Sequence, residues 1–385
     1  MDARVSGPSE TGQNTVVFVS FAKALGGSTK SLANLLALLP GGVKRVLAAP
    51  STGKFPSLTK REGLVESHLV IWDSHRPGNS RAQRFVGAVR LALWARRNRR
   101  KLVAIHANGP EEINVAGPAA LVAGVPLVGW IHAFDVSPWM RRLGPMWGRV
   151  LRSHRVRWAA VSPTAGRVLT DSGIAGNDQE IVIIPNPIDS AQIRATSHIP
   201  DDVVRVAFLG SAIERKGLQL VPEIEQTLSD LPLRWVLFTG NERSSAPLED
   251  TLKQLRALPS SRASIEGKIE DVREAYARCD IVFCPSLKES FCRVAAEAMM
   301  NGLPVVGSDI EPLRDLLGEE DAGLLFRPGD AVAAAAAIRR LVLDPELRHR
   351  LGREGRRRAA VFEPSHISEQ LCRLYGLTPT TLTED

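Results

Sequence analysis

Apolar positions along the chain follow two alternating spacings. Short β-branched and aromatic runs, bounded by Gly, Pro, Asn or Ser, predict strands at 15–20, 44–48, 68–72, 102–106, 127–132, 158–162 and 181–185. Between them apolar residues recur at three- and four-residue intervals, which predicts helices over 29–39, 81–97, 112–123 and 163–172. A second series of strands is predicted at 204–209, 235–239, 263–266, 281–284, 304–307 and 324–326, with helices alone beyond Asp330. Strand–helix–strand alternation of this kind builds a parallel sheet covered on both faces.

Asn186-Pro187-Ile188-Asp189 and a polar stretch ending at Asp202 separate the two series. Each series opens with a strand running into a Gly- and Ser-rich loop, Leu25-Gly26-Gly27-Ser28 in the first and Leu209-Gly210-Ser211 in the second. The pattern therefore predicts an α/β protein of two doubly wound, Rossmann-like domains, residues 1–190 and 191–362. A terminal helical segment, 363–385, is expected to pack back on the first domain. Such sheets bind ligands outside the carboxyl ends of their strands. Two of them facing one another would enclose a central cleft.

Composition narrows the class. At 385 residues, 44% apolar and 24% charged, the chain is long enough for a core in each half, and it is not disordered, collagen-like or disulfide-scaffolded. Its four cysteines (Cys279, Cys284, Cys292 and Cys372) lie in the second half without a C-x-x-C pair, as expected of buried thiols in a reducing, cytoplasmic setting. The first fourteen residues are polar, so no secretory leader is expected. The uncharged run 115–131 spans seventeen residues, but Gly124-Val125-Pro126 divides it into a helix and a strand rather than a membrane span. The net charge of +7 conceals an asymmetry: residues 1–190 carry 24 Lys and Arg against 12 Asp and Glu, and the remainder 25 against 30. Only the first half favours an anionic partner.

The glycine pattern excludes several chemistries. No two of the 31 glycines are spaced i, i+2, so the dinucleotide fingerprint is absent. Gly27-Ser28-Thr29-Lys30-Ser31 and Ser51-Thr52-Gly53-Lys54-Phe55 each approach a P-loop, but both lack its upstream Gly. No G-x-S-x-G elbow and no zinc-spaced His/Cys/Asp cluster occurs.

The informative run is 281–308, IVFCPSLKESFCRVAAEAMMNGLPVVGS. It reads as a buried strand, a polar loop, a helix starting near Cys292, an Asn301-Gly302 stop and a further strand. Backbone N–H groups of Phe291, Cys292 and Arg293 at such a helix start, with the dipole behind them, suit a diphosphate. Glu297 inside the helix could accept hydrogen bonds from ribose hydroxyls, and Glu289 before it could hold sugar hydroxyls.

Glu289 and Glu297, with Ser290-Phe291 and Ala296-Glu297-Ala298-Met299, resemble the E-x7-E signature of the family 4 retaining glycosyltransferases. These are nucleotide-sugar enzymes of the two-domain GT-B fold. Pro185-Asn186-Pro187-Ile188-Asp189 resembles the family's hinge, and Gly210-Ser211 through Arg215-Lys216-Gly217 its phosphate-binding loop. Ser308-Asp309-Ile310 through Asp315-Leu316 and Gly323-Leu324-Leu325-Phe326 resemble the end of its second domain. The similarity covers nearly the whole second half and is diffuse in the first, where it touches Gly26-Gly27, His106 and His132.

The resemblance implies transfer of a hexose-type sugar from a UDP- or GDP-sugar to a hydroxyl, with retention and with neither metal nor cofactor. The acceptor would be a glycan, lipid-linked or small molecule, such as an envelope glycolipid, a polysaccharide precursor or a secondary metabolite. Lys216 and Arg215 would bind the donor diphosphate, and His132 would meet the donor sugar. Gly26 and Gly27 would let backbone approach the phosphate or the acceptor. Three positions depart from the family pattern: Ser211 and Cys292 stand where Arg and Gly are usual, and Pro187 replaces a hinge Gly. His132 can also be read as a structural histidine, and the same fold could serve a nucleotide-sugar epimerase or hydrolase.

Between Ser74 and Pro110 there are nine Lys or Arg and no acid, and 136–170 is again free of acids. The latter stretch sets Arg141, Arg142, Arg149, Arg152, Arg155, Arg157 and Arg167 among Trp139, Trp147 and Trp158. Phe85, Val89 and Leu93 form an apolar stripe on the predicted helix. They read either as a core-packed face or as a surface for anionic lipid on the inner face of the plasma membrane. Nucleic acid is the less favoured partner, since no recognised binding motif accompanies the charge.

Overall fold

A computed structural model describes residues 14–23, 27–72, 80–132, 151, 155–176, 178–188, 203–239, 246–258, 261–266, 269, 271–318 and 321–377. Gly26, Asp189, Trp139 and Trp147 lie outside these residues. The chain divides into two compact units, Met1–Pro187 with Pro364–Asp385, and Ile188–Glu363.

The first unit holds a seven-stranded parallel sheet. Its strands are β1 (Asn14–Val19), β2 (Val43–Pro50), β3 (Ser67–Trp72), β4 (Leu102–Ala107), β5 (Leu127–Ile131), β6 (Val156–Ala160) and β7 (Ile181–Ile183). They lie in the order β3-β2-β1-β4-β5-β6-β7. The helices among them are α1 (Gly27–Leu38), α2 (Lys54–Arg61), α3 (Ser80–Asn98), α4 (Ile113–Ala123) and α5 (Pro163–Asp171). The second unit holds six parallel strands in the order β10-β9-β8-β11-β12-β13. They are β8 (Val204–Leu209), β9 (Leu233–Phe238), β10 (Ser264–Glu266), β11 (Ile281–Cys284), β12 (Val305–Ser308) and β13 (Gly323–Phe326). Its helices are α6 (Val221–Thr227), α7 (Ala246–Ala257), α8 (Val272–Ala277), α9 (Arg293–Met300), α10 (Glu311–Leu317), α11 (Ala331–Leu343) and α12 (Pro345–Ala359).

Central strands covered on both faces need apolar side chains on both. Val16, Val17, Phe18 and Val19 of β1, like Ile281, Val282 and Phe283 of β11, are accordingly almost wholly buried. The helices start at side-chain caps where the sequence supplies them: Ser162 accepts from the Ala165 N–H, Asp330 from Ala333 and Asp344 from Leu347. In each sheet the strand order reverses beside the first strand, between β1 and β4 and between β8 and β11. The crevice at the carboxyl ends of such a pair is where an open α/β sheet takes a ligand.

One feature of the first unit departs from the pattern of the sequence. The apolar stripe of α3 does not face the core: Phe85 is 71% exposed and Leu93 53%, while Gly87, Leu91 and Ala95 form the buried face. At position 87 a glycine is needed because the helix lies close to its sheet. A Cβ on Gly87 would come within 2.8 Å of the Ile71 carbonyl oxygen. Helix α13 (Pro364–Tyr375) belongs to the first unit. There Ser368 Oγ donates to the Leu38 carbonyl at 2.9 Å, and Arg157 Nη1 donates to the Leu374 carbonyl at 2.6 Å. Among the described residues no helix is long and apolar enough to cross a membrane.

Candidate active site

In the second unit, β8 and β11 are neighbours, so the segments leaving their carboxyl ends meet. After β8 the chain makes a 3₁₀ turn, Glu214–Lys216, closed by Gly217 in the left-handed region at φ 77°. A side chain at 217 would press into the Pro285 carbonyl oxygen just past β11, so only glycine lets these segments approach. The Leu287 N–H then donates to the Arg215 carbonyl at 2.8 Å, locking one loop onto the other.

This docking gathers charges remote in sequence. Lys216 Nζ donates to Glu289 Oε1, which also accepts from Ser286 Oγ at 2.9 Å. Arg215 Nη1 lies 3.6 Å from Glu289 Oε2 and donates to the Lys288 carbonyl at 2.6 Å. The Glu289 side chain is 10% exposed and that of Lys216 22%, so water screens the pair only partly. Burial pulls the Lys216 ammonium pKa down, but the adjoining Glu289 carboxylate outweighs it and holds the value above normal.

One helix further on, Glu297 is held from both sides. Tyr276 Oη donates to its Oε2 at 2.8 Å, and Arg293 Nη2 donates to its Oε1 at 2.8 Å. Burial, together with the Glu297 charge, lifts the Tyr276 phenol well above its ordinary pKa, so it remains a donor. Two donors leave the carboxylate with further acceptor capacity. Cys292 precedes α9 at φ 62°, ψ 69°; among the described residues it is the one non-glycine with positive φ. Phe291 is buried and meets Phe362 edge-on at 5.5 Å. Ser290 is half-buried between Glu289 and Phe291. Tyr276 and Ser286 carried no recognisable signal in the sequence; their partners lie across loops.

The first unit places its candidates at the same kind of location. Gly27 is the first residue of α1. His132 follows β5 and is half-buried; its Nε2 lies 3.2 Å from Asn108 Oδ1, past the end of the adjacent β4. An amide oxygen only accepts, so Nε2 carries the proton and Nδ1 keeps its lone pair. The ring stacks on Trp130 at 5.8 Å, and burial pushes its pKa down to about 3, leaving it neutral. His106, by contrast, is fully buried among Phe18, Trp130 and Tyr375, with its Nδ1 2.8 Å from Tyr375 Oη. It is a core residue. Among the described residues no three His, Cys, Asp or Glu side chains gather as a metal-ligand set.

Residues 25–192 match the model of Glycosyltransferase Family 4, and residues 189–358 match that of Glycosyl transferases group 1. The chain belongs to the family 4 glycosyltransferases. Among related proteins, this glycosyltransferase is 23% identical over 292 residues to the putative glycosyltransferase EpsD of Bacillus subtilis, covering 76% of this chain and 74% of EpsD. It is 31% identical over 205 residues to the phosphatidyl-myo-inositol mannosyltransferase of Mycolicibacterium smegmatis, covering 51% and 52% of the two chains. The crystal structure of Anabaena HepE in complex with UDP and glucose superposes with a TM-score of 0.75 at 20% identity, covering 94% of this chain and 99% of HepE. The glycosyltransferase thus has the GT-B fold, two Rossmann-like units each built on a parallel sheet.

Proposed function

We propose that this glycosyltransferase moves a sugar from a nucleoside diphosphate to an acceptor hydroxyl with retention at the anomeric carbon. The observation that carries the reading is the convergence of Lys216, Arg215 and Glu289 where β8 and β11 diverge. The two cations would stabilise the negative charge growing on the departing diphosphate, an electrostatic contribution made before reaction begins. They supply the positive charge that a metal-independent transfer requires. N–H groups of Phe291, Cys292 and Arg293 would add to it at the start of α9. Glu289, already flanked by Ser286, would hold sugar hydroxyls, and Glu297 the ribose.

In this reading the leaving phosphate oxygen takes the acceptor proton, and attack comes from the face it departs. His132, being neutral, contributes hydrogen bonding rather than a proton. The first unit, with Gly27 opening α1 and Gly26 next to it in sequence, would recognise the acceptor. A UDP-sugar donor is supported by the UDP and glucose bound to HepE. A lipid-linked acceptor is supported by the mycobacterial-type relative, whose name specifies phosphatidyl-myo-inositol. Location on a membrane surface belongs to the same reading.

Calorimetric titration of UDP and GDP into the wild type and Lys216→Ala tests the assignment. Loss of a charge-assisted contact of about 1.5–3 kcal/mol should weaken one of these nucleotides roughly ten- to hundred-fold. Unchanged binding of both would remove Lys216 from the site. Nucleotide release from the donor sugar at equal rates with and without acceptor would replace transfer by hydrolysis.

A further inference from the structure

We propose that Cys284 and Cys292 form a reversible disulfide on exposure to hydrogen peroxide, and that this bond weakens nucleotide binding by the second unit; the effect on nucleotide rests on the donor reading above, the disulfide does not. Cys284 closes β11, and Cys292 is the residue from which α9 starts. The two therefore stand at either end of the loop that carries Ser286 and Glu289. Both side chains are buried, and the Cys284 thiol donates a hydrogen bond to the Cys292 sulfur. That bond, followed by burial, holds the Cys284 pKa well above the ordinary thiol range, so Cys284 keeps its proton.

The surroundings single out Cys292 as the nucleophile. Its side chain makes no capping hydrogen bond, and it stands at the positive end of α9. The Lys216 ammonium is near enough for its charge to act on Cys292, with Glu289 as the opposing charge on the same loop. A helix start and a neighbouring cation are surroundings that make a thiol reactive, and a second thiol in contact resolves the oxidised product. Cys292 also holds φ 62°, a backbone conformation that disfavours any side chain and that gathers at functional sites. The other two cysteines are placed differently. Cys279 Sγ donates to the Ala275 and Tyr276 carbonyls, and Cys372 belongs to the first unit.

In the reaction the Cys292 sulfur attacks the O–O bond. An S–O bond forms, and the hydroxide released recovers the Cys292 proton as water. The Cys284 sulfur then displaces the remaining hydroxide, which leaves as water with the Cys284 proton, and an S–S bond replaces the S–O bond. Two thiols are oxidised and one peroxide is reduced to two waters. An S–S bond is much shorter than a thiol–thiol hydrogen bond, so the start of α9 is drawn toward β11 together with its N–H groups.

The test treats the reduced full chain with hydrogen peroxide and counts thiols after denaturation. Four should fall to two, with one cross-linked peptide pair joining Cys284 to Cys292, and dithiothreitol should restore four. In Cys284→Ala, dimedone should trap a sulfenic acid on Cys292 at least about ten-fold faster than on Cys279 or Cys372. Calorimetry should show UDP or GDP binding about ten-fold weaker after oxidation and recovered on reduction. Persistence of four thiols, a disulfide through Cys279 or Cys372, or unchanged nucleotide affinity after oxidation would overturn the proposal. If the reduced chain bound neither nucleotide, the donor reading would fall, while the thiol count would still decide the disulfide.

Discussion

His106 should make a separable contribution to the loss of stability of the first unit in acid. Its ring is fully buried among Phe18, Trp130 and Tyr375; Tyr375 Oη occupies Nδ1, and Nε2 has no hydrogen-bond partner. Burial, with a smaller push from His132, lowers its pKa from 6.5 to about 3. Because the folded value is the lower one, the unfolded chain takes up the proton first as pH falls. The stabilisation is therefore complete above about pH 6.5 and is lost progressively toward pH 3. At about pH 4.5 the loss amounts to roughly 2–3 kcal/mol. Trp235 is the one tryptophan of seven that lies in 188–363, so tryptophan emission during urea unfolding reports chiefly on the first unit. His106→Gln keeps an acceptor for Tyr375 but no longer titrates, and its stability should fall less between pH 7 and pH 4.5 by about that amount. Comparing slopes removes the fixed cost of the substitution, and carboxylates and His132 contribute to both curves. Parallel curves for wild type and variant would refute the reasoning.

Three further outcomes are expected. Gly217→Ala forces a side chain against the Pro285 carbonyl at positive φ; melting should show a loss of at least about 1–3 kcal/mol, and calorimetry weaker UDP or GDP binding. Cys292→Gly should melt within about 1 kcal/mol of the wild type, whereas Cys292→Val, β-branched at φ 62°, should melt well below it by about 2 kcal/mol or more. Tyr276→Phe removes one donor to Glu297, so nucleoside diphosphate binding should weaken about ten-fold while inorganic pyrophosphate binds as before.

The alternation of runs made both sheets legible, and the ends of β8 and β11 fall where the sequence puts them, since each is a short buried run closed by Gly or Pro. The meeting of Lys216 and Glu289, 73 residues apart, also follows from topology, because adjacent strands at a reversal of order must bring their trailing loops together. Helix α2 was not legible. Its eight residues bury only Phe55, Pro56 and Thr59, too few for a period to emerge. The orientation of α3 was hidden because its core face sets one leucine beside a glycine and an alanine, which hydrophobicity ranks below the exposed Phe85 and Leu93. Asn108, Ser286 and Tyr276 escaped for a common reason: an uncharged polar residue acquires meaning only from a partner, and here the partners are assembled by loops.

The placement of α13 bears on how the protein is made. The ribosome delivers 188–363 whole, while the amino-terminal unit still lacks the helix that brings Tyr375 to His106 across 269 positions. The nascent chain must therefore keep an open seat over Phe18, Trp130 and His106 until translation has passed Tyr375. Of the two units, the one begun first is completed last.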